Sequence, residues 1–517
     1  MALRSVVWPS FYQDSIALMR VAEALKELPR VREAAALMGT PANHELLASA
    51  GLATPESKRA GVGDLILAVE AESEGAAEAA LEAAKDLFAA RRHELEQAVR
   101  VLPRTLDSAL AHLPNANLVA ISVPGPYAKF EAARALRRGL HVFLFSDNVP
   151  LADEVELKRL AVSRRLLCMG PDCGTAYLGG VGLGFANVVP RGRVGCVAAS
   201  GTGLQAVVSH VAALEEGISH GIGVGGRDLS AEVGGVMTGL ALEALAADSE
   251  TLVVVLISKP PAPSVLGPLE AALAEVGKPV VACCLGEPPR LGGPVRWVTT
   301  LEDAAEAAVA TRRGMPWTPR AFSDPRAIGA RLARVRAETD RRGAGVFGLF
   351  TGGTLAHEAR LLLEPLVGPV ASNLGPGGEG SGHWILDLGA DEFTVGRPHP
   401  MLDPEARAAR VREAGRSAAI GVVLVDLVLG RAAHPNPAGP IAAAIRDARV
   451  RAAADGRSLV VVASVVGTAG DPQGLSRQIA ALEAADADVL PSNAQAARFA
   501  ALVVRPDLAP SLLGESP

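Results

Sequence analysis

Val194-Gly195-Cys196-Val197-Ala198-Ala199-Ser200-Gly201-Thr202-Gly203-Leu204 is the stretch on which the fold turns. A short apolar run leads straight into a polar, glycine-rich turn, and a helical period opens directly after it. That pattern predicts a buried strand, a tight βα turn and a helix. The same order recurs where Val346–Leu349 runs into Phe350-Thr351-Gly352-Gly353-Thr354 and then into a helical period over Leu355–Leu363. Working outward, apolar strand candidates stand at Leu65–Val69, Leu118–Val123, Val142–Phe145, Leu252–Ile257, Val280–Cys284, Gly421–Leu427 and Leu459–Ser464. Ala/Leu/Glu-rich helical segments separate them, among them Glu72–Arg100, Gly203–Glu215 and Ala304–Arg312. Short strands that are apolar throughout, set between amphipathic helices, predict parallel sheets covered on both faces. The fold class is α/β, with three such layers in series.

A chain of 517 residues suggests about three domains. Turn-rich Pro190-Arg191-Gly192 marks one boundary. Met315–Gly345, with three prolines and the charged run Arg331–Arg342, reads as a linker that includes a solvated helix. The expected domains are therefore 1–190, 191–325 and 344–510, with 326–343 between the last two. No internal sequence repeat is visible, and Ser511–Pro517 reads as a frayed tail.

Composition excludes several classes. Hydrophobic residues make up 49% of the chain, which rules out long disorder. The net charge is −6, so the basic excess of a nucleic-acid binder is lacking. The longest apolar runs fall far short of the roughly 18 residues a membrane span needs. Arg4, Gln13 and Asp14 interrupt the start of the chain where a signal peptide is apolar. A cytoplasmic location is expected. Five cysteines, Cys168, Cys173, Cys196, Cys283 and Cys284, show no CxxC or Cys/His spacing, so neither a disulfide framework nor a metal site is expected.

Ligands of parallel sheets sit at the carboxyl ends of strands, so the loops there are the candidates for chemistry. Ser200, Gly201, Thr202 and Gly203 form either an anion site, with inward N–H groups and a helix N-terminus, or an ordinary capped turn. Thr351, Gly352, Gly353 and Thr354 offer the same alternatives, and the two turns would make a sharper site if they met. In Gly221-Ile222-Gly223-Val224-Gly225-Gly226-Arg227-Asp228, Gly225 and Gly226 allow close approach of a ligand. Arg227 offers a forked donor for phosphate or carboxylate, or else pairs within the protein. Gly170-Pro171-Asp172-Cys173-Gly174-Thr175 is a tight turn in which Cys173 reads as a small buried residue and Asp172 as a substrate contact. Arg397 and His399, in Gly396-Arg397-Pro398-His399-Pro400, stand on a stiff loop. His399 is a general acid/base, a phosphate contact or a packed ring. No P-loop and no G-x-G-x-x-G after the first strand occur.

These motifs, in this order, resemble the FdrA family, a branch of the succinyl-CoA synthetase superfamily. The resemblance rests on Tyr12-Gln13-Asp14-Ser15, Met38-Gly39-Thr40-Pro41-Ala42-Asn43, Leu144-Phe145-Ser146-Asp147-Asn148-Val149 and Met169–Thr175. It continues through Phe185-Ala186-Asn187-Val188, Ala199–Gly203, Gly225–Ser230, Phe350–Ala356 and Val395–Pro400. It implies a Rossmann-like CoA-binding-type domain over 1–190 and two flavodoxin-like domains of the synthetase type over 191–325 and 344–510. It also implies that the two glycine turns face one phosphoryl site.

The departures matter as much. No ATP-grasp domain is recognisable. The turn Leu285–Gly293 lacks the synthetase histidine, Lys259 stands where that histidine's glutamate is expected, and Trp8–Asp14 replaces the CoA-phosphate loop. Direct phosphorolysis fits what remains. The resemblance implies a subunit of an oxamate carbamoyltransferase, interconverting oxalurate plus phosphate with oxamate plus carbamoyl phosphate in allantoin and purine catabolism, alongside other subunits. Phosphate or carbamoyl phosphate is the expected ligand, with CoA as a further expectation and no other cofactor. Arg227, Lys259 and His399 are the catalytic candidates. An acid–CoA ligase working with an ATP-grasp partner and a non-catalytic metabolite-binding regulator are the alternatives.

Overall fold

The computed structural model describes residues 2–13, 15–98, 103–338, 343–374, 382–394 and 398–514. Arg397 and Asp14, both singled out above, lie outside the described residues. The chain divides into two compact units, the first made of the described residues up to Asn115 together with Thr394, the second of those in 116–393 and from Pro398 on.

The first unit is built on a three-stranded sheet in the order β1-β3-β2, with β1 (Ala2–Trp8), β2 (Val31–Met38) and β3 (Leu65–Ala71). Both pairings are antiparallel. Helices Ser15–Lys26 and Glu74–Ala98 cover one face, where Leu18, Val21, Leu25 and Phe88 pack on Leu65, Leu67 and Val69. Leu47 and Leu52 cover the other, over Ile66 and Ala68. This corrects the expectation of one Rossmann-like domain over 1–190. Leu65–Val69 reads like a parallel strand because it is central and covered on both faces, a condition an antiparallel strand also meets here. Trp8 stacks edge-on with Phe11 at 5.1 Å and with Phe88 at 5.5 Å, closing the core.

The second unit holds three sheets. The first is parallel, in the order β4-β5-β6, from β4 (Leu118–Ile121), β5 (His141–Leu144) and β6 (Cys168–Met169). The second has the order β13-β12-β11-β9-β10-β7-β8. Its parallel part comprises β9 (Arg191–Ala198), β10 (Ile218–Gly223), β11 (Val253–Ser258), β12 (Val280–Cys284) and β13 (Val295–Trp297). The hairpin β7 (Thr175–Leu178) and β8 (Val181–Gly184) adds antiparallel to β10. It covers an edge that would otherwise be open, so residues 175–190 belong to this sheet and not to the domain before it.

The third sheet is parallel throughout, in the order β15-β16-β14-β17-β18-β19. Its strands are β14 (Gly345–Phe350), β15 (Val370–Ser372), β16 (His383–Asp387), β17 (Ile420–Val428), β18 (Val460–Val466) and β19 (Ala487–Leu490).

In both large sheets the first of the parallel strands is flanked on its two sides by later ones, β9 by β10 and β11, and β14 by β16 and β17. The strand order therefore reverses at the carboxyl ends of β9 and β14, where open α/β sheets hold ligands.

The expected linker 326–343 is mostly the helix Pro325–Glu338. Ile328, Leu332 and Val335, at helical spacing, are buried in the core shared by the two large sheets. The charged residues visible in the sequence form the other face. The frayed tail is also corrected as far as residue 514: Ala509–Leu513 is helical and Leu513 is 9% exposed.

A buried polar knot ties the two large sheets together. Asn187 Nδ2 donates to Asp471 at 2.8 Å and to the Leu429 carbonyl at 3.0 Å. Asp471 also accepts from the Val188 and Thr468 amides, each at 2.7 Å. This accounts for the motif Phe185–Val188 in structural terms. Asp471→Ala orphans three buried donors at once, so it is expected to lower stability by about 3 kcal/mol, read as an earlier urea-unfolding midpoint. An unchanged midpoint would remove the knot from the forces that join the sheets.

Candidate functional site

The two glycine turns meet. β9 delivers Ser200 to the start of helix Gly201–Ala213, and β14 delivers Thr351–Gly353 to the start of helix Gly353–Val367. Ser200 Oγ lies 2.6 Å from Thr354 Oγ1. Ser200 caps its own helix, accepting from Gly203 N at 2.8 Å, whereas helix Gly353–Val367 has no side-chain cap. Two helix N-termini of the same partial charge thus converge on one place, and one of them still offers its N–H groups.

The glycines are required by the closeness. A Cβ on Gly203 would lie 2.5 Å from Ser200 Oγ and 3.0 Å from Thr354 Cγ2. On Gly352 it would lie 2.5 Å from Thr202 Cγ2, so the two turns interlock across the two sheets. On Gly353 it would meet Asp387 Oδ2 at 2.7 Å and Lys259 Nζ at 2.8 Å. Lys259, from the end of β11, and Asp387, from the end of β16, therefore stand over the uncapped helix start. Gly201 faces Thr175 Oγ1 and Gly174, which brings the turn 170–175 to the same edge.

Asp387 is nearly buried and accepts from Gly389 N at 2.9 Å. Burial pushes its carboxyl up to about 6, against the opposing pull of Lys259. His399 is close by: a Cβ on Gly389 would lie 2.8 Å from His399 Nε2 and 3.2 Å from Asp387 Oδ1. Its Nδ1 accepts from Met401 N at 3.2 Å, which leaves the proton of the neutral ring on Nε2. Burial, then Arg407, pushes His399 down to about 4. His357, one turn into the second helix, is held below its ordinary value by burial, Lys259 and Arg360, and its Nε2 has no hydrogen-bond partner among the described residues.

Several expectations need correction. Thr351 does not point at a ligand. Its amide donates to Asp426 Oδ1 at 2.9 Å and its hydroxyl donates to Asp426 Oδ2. Asp426 in turn pairs with Arg407 at 2.7 Å, both groups fully buried. Thr351 is a strut that fixes the turn. Arg227 donates from Nε to Glu154 at 2.8 Å and from Nη2 to the Val149 carbonyl at 2.8 Å. It braces helix Leu151–Ser163 instead of facing the glycine turns. Gly225 is needed by backbone packing, since a Cβ there would lie 2.7 Å from the Pro171 carbonyl, while Gly226 faces open space. Asp172 is exposed on its turn with φ at 53°. His399 is held neutral near neutral pH, with Nε2 as a hydrogen-bond donor. All five cysteines are buried, and burial pushes the Cys173 thiol up to about 12.

The residues brought together are thus Ser200, Gly201, Thr202, Gly203, Gly352, Gly353, Thr354 and Lys259, with His399 alongside. Sequence reading took Asp387, one of the acids flanking the His399 loop, for a turn cap. Its signal is its position: a lone acid ends the apolar strand Trp384-Ile385-Leu386-Asp387, as Ser200 follows β9. Chemically, the cluster offers N–H groups, hydroxyls and an ammonium for an anion, with a high-lying carboxyl as proton acceptor or donor.

Residues 1–101 match the family described as AllF, heavy metal-associated domain, and residues 349–503 match the CoA-ligase family. The uncharacterized protein YahF of Escherichia coli K12 is 38% identical over 489 residues, 92% of this chain and 94% of that one. The α subunit of ADP-forming succinate–CoA ligase from Staphylococcus epidermidis is 31% identical over 150 residues, 28% of this chain and 48% of its own length. The apo form of the dinucleotide forming acetyl-coenzyme A synthetase 1 of Ca. Korarchaeum cryptofilum is 16% identical, covers 77% of this chain and 85% of that one, and superposes with a TM-score of 0.32. That last likeness is too loose to bear on function. The synthetase-like character of the sheets and the α/β class stand. With identity running along nearly the whole of both chains, this protein belongs to the family of YahF, and its residues 349–503 match the CoA-ligase family.

Proposed function

We propose that this chain transfers an acyl group to or from phosphate where its two helix N-termini meet. The observation that carries the reading is the Ser200–Thr354 contact beside Lys259. Donors from two sheets are fixed before any ligand arrives, so a phosphate or an acyl phosphate pays little reorganisation there. Gly352 and Gly353 supply N–H groups to the phosphoryl oxygens, Lys259 offsets their charge, and neutral His399 donates from Nε2. Asp387 competes with the anion when ionised and accommodates it when protonated.

The finer form is the one the FdrA resemblance implies. A phosphate oxygen attacks the ureido carbonyl of oxalurate and the bond from that carbon to the oxamate nitrogen breaks. Carbamoyl phosphate and oxamate leave, the nitrogen taking the proton that the phosphate loses. Other carbamoyltransferase subunits are the partners this reading calls for. The CoA-ligase match over 349–503 and the succinate–CoA ligase relatives favour a second form, in which CoA takes the acyl group and an ATP-grasp partner supplies phosphate. Residues 1–101 contain no cysteine, so the thiolates that select soft metals are lacking there and we assign that unit no metal.

Phosphorus NMR separates the two forms. With carbamoyl phosphate and oxamate, and with co-encoded subunits added, the carbamoyl phosphate signal is expected to fall as oxalurate forms, without ATP or CoA. Turnover that waits for ATP, CoA and a carboxylic acid selects the ligase form. Ser200→Asp puts an anion where the phosphate sits, and turnover is expected to drop by about 10²–10³ or more. Retained turnover would move the site elsewhere.

Asp387 gives a pH test. The folded state holds its proton more tightly than the unfolded chain does, so this group's contribution is best below the ordinary carboxylate range and is lost as pH rises through about 6. Asp387→Asn is expected to raise stability by up to about 3 kcal/mol near pH 8, by less than about 1 kcal/mol near pH 4, and to tighten phosphate binding. Thermal unfolding and calorimetry at the two pH values check both effects.

A further inference from the structure

A cavity of about 150 Å³ lies between the two large sheets, away from the glycine turns. Ser209, His210 and Glu302 line one side of it, and Glu358, Ser464 and Asn493 the other. His210 sits nine residues along helix Gly201–Ala213 from its start, about 14 Å at 1.5 Å per residue. The cavity is thus a separate place from the phosphate site.

Its polar atoms are unsatisfied. Ser209 Oγ, His210 Nε2, Ser464 Oγ and Asn493 Oδ1 are buried without a hydrogen-bond partner among the described residues. Ser209, Ser464 and Asn493 are 5%, 1% and 5% exposed. Buried polar atoms nearly always have partners, so four orphans around one space call for an occupant.

The charges say what kind. Glu302 and Glu306 stand one turn apart on helix Leu301–Arg313 and share a face. With His210 they present three ligand atoms, one from each residue, all within 4.8 Å of one another. His210 Nε2 is 3.9 Å from Glu306 Oε1, beyond hydrogen-bond reach. Around a zinc-sized ion at ~2.1 Å, ligand atoms lie roughly 3.4 Å apart, so small side-chain rotations close the set.

Outer partners already orient the carboxylates. Gln495 Nε2 donates to Glu302 at 2.5 Å, and Arg320 and Trp317 donate to Glu306 at 2.6 and 3.1 Å. Such second contacts are what hold metal ligands in place.

We propose that His210, Glu302 and Glu306 bind one divalent transition-metal ion, of the zinc or manganese class, with its remaining positions open to the cavity. One imidazole and two carboxylates suit those borderline-to-hard ions and not soft ones. The ion is a brace: its ligands sit on the first large sheet's helices, and the waters completing its shell reach Ser464 and Asn493 on the second.

The test uses the full chain, tag-free and stripped with a chelator, dialysed against Zn²⁺ or Mn²⁺ alone. One ion per chain is expected to remain. His210→Asn and Glu302→Gln are each expected to weaken binding at least tenfold, while His112→Asn, at an exposed histidine, leaves it unchanged. An X-ray absorption spectrum of the wild-type zinc complex needs no variant and is expected to show one imidazole and oxygen neighbours without sulfur. No retained ion, wild-type affinity in folded His210→Asn protein, or a spectrum without imidazole each overturns the proposal.

Discussion

Two helix N-termini of like partial charge aimed at one point repel each other, and much of the second unit is arranged to hold them there. The Ser200–Thr354 hydroxyl contact spans the gap, the Asp387 carboxyl supplies nearby negative charge, and the glycines at 203, 352 and 353 let the turns close. The Asn187–Asp471 knot and the shared apolar core hold the sheets behind them. The buried Arg407–Asp426 pair belongs to the same effort, since Asp426 fixes Thr351 and Thr351 fixes the turn. Breaking such a pair from one side strands a buried charge, which costs more than the pair itself contributes.

Much of the second unit was legible because βα turns are local. An apolar run followed by Ser-Gly-Thr-Gly, or by Thr-Gly-Gly-Thr, has few other solutions, and both turns formed where the sequence places them. Their meeting was not legible from either turn, because it depends on how two sheets pack. The first unit misleads for a related reason. Leu65–Ala71 is apolar on both faces, and the sequence does not say whether its neighbours run parallel or antiparallel to it. β2, Val31–Met38, is rich in alanine and carries few β-branched side chains, so it gives no strand signal.

The site residues divide the same way. Asp426 is the one charged residue in the otherwise apolar strand Ile420–Val428, a sign of a buried partner that sequence reading passed over. Arg227 drew attention as an arginine in a glycine loop, yet Glu154, far away in sequence, claims it. His210 and Glu302 are separated by an entire sheet's worth of chain, so no spacing rule relates them.

The aiming of one βα turn from each large sheet, after β9 and after β14, at a single place is a feature of how the two sheets pack. Its consequence concerns assembly. Each half of the candidate site comes from a different sheet, and here both sheets are on one polypeptide. The halves are therefore present in equal number and at a local concentration set by the tether, not by the amount of protein in the cell. Dilution, which dissolves a pocket shared between separate chains, leaves this one intact.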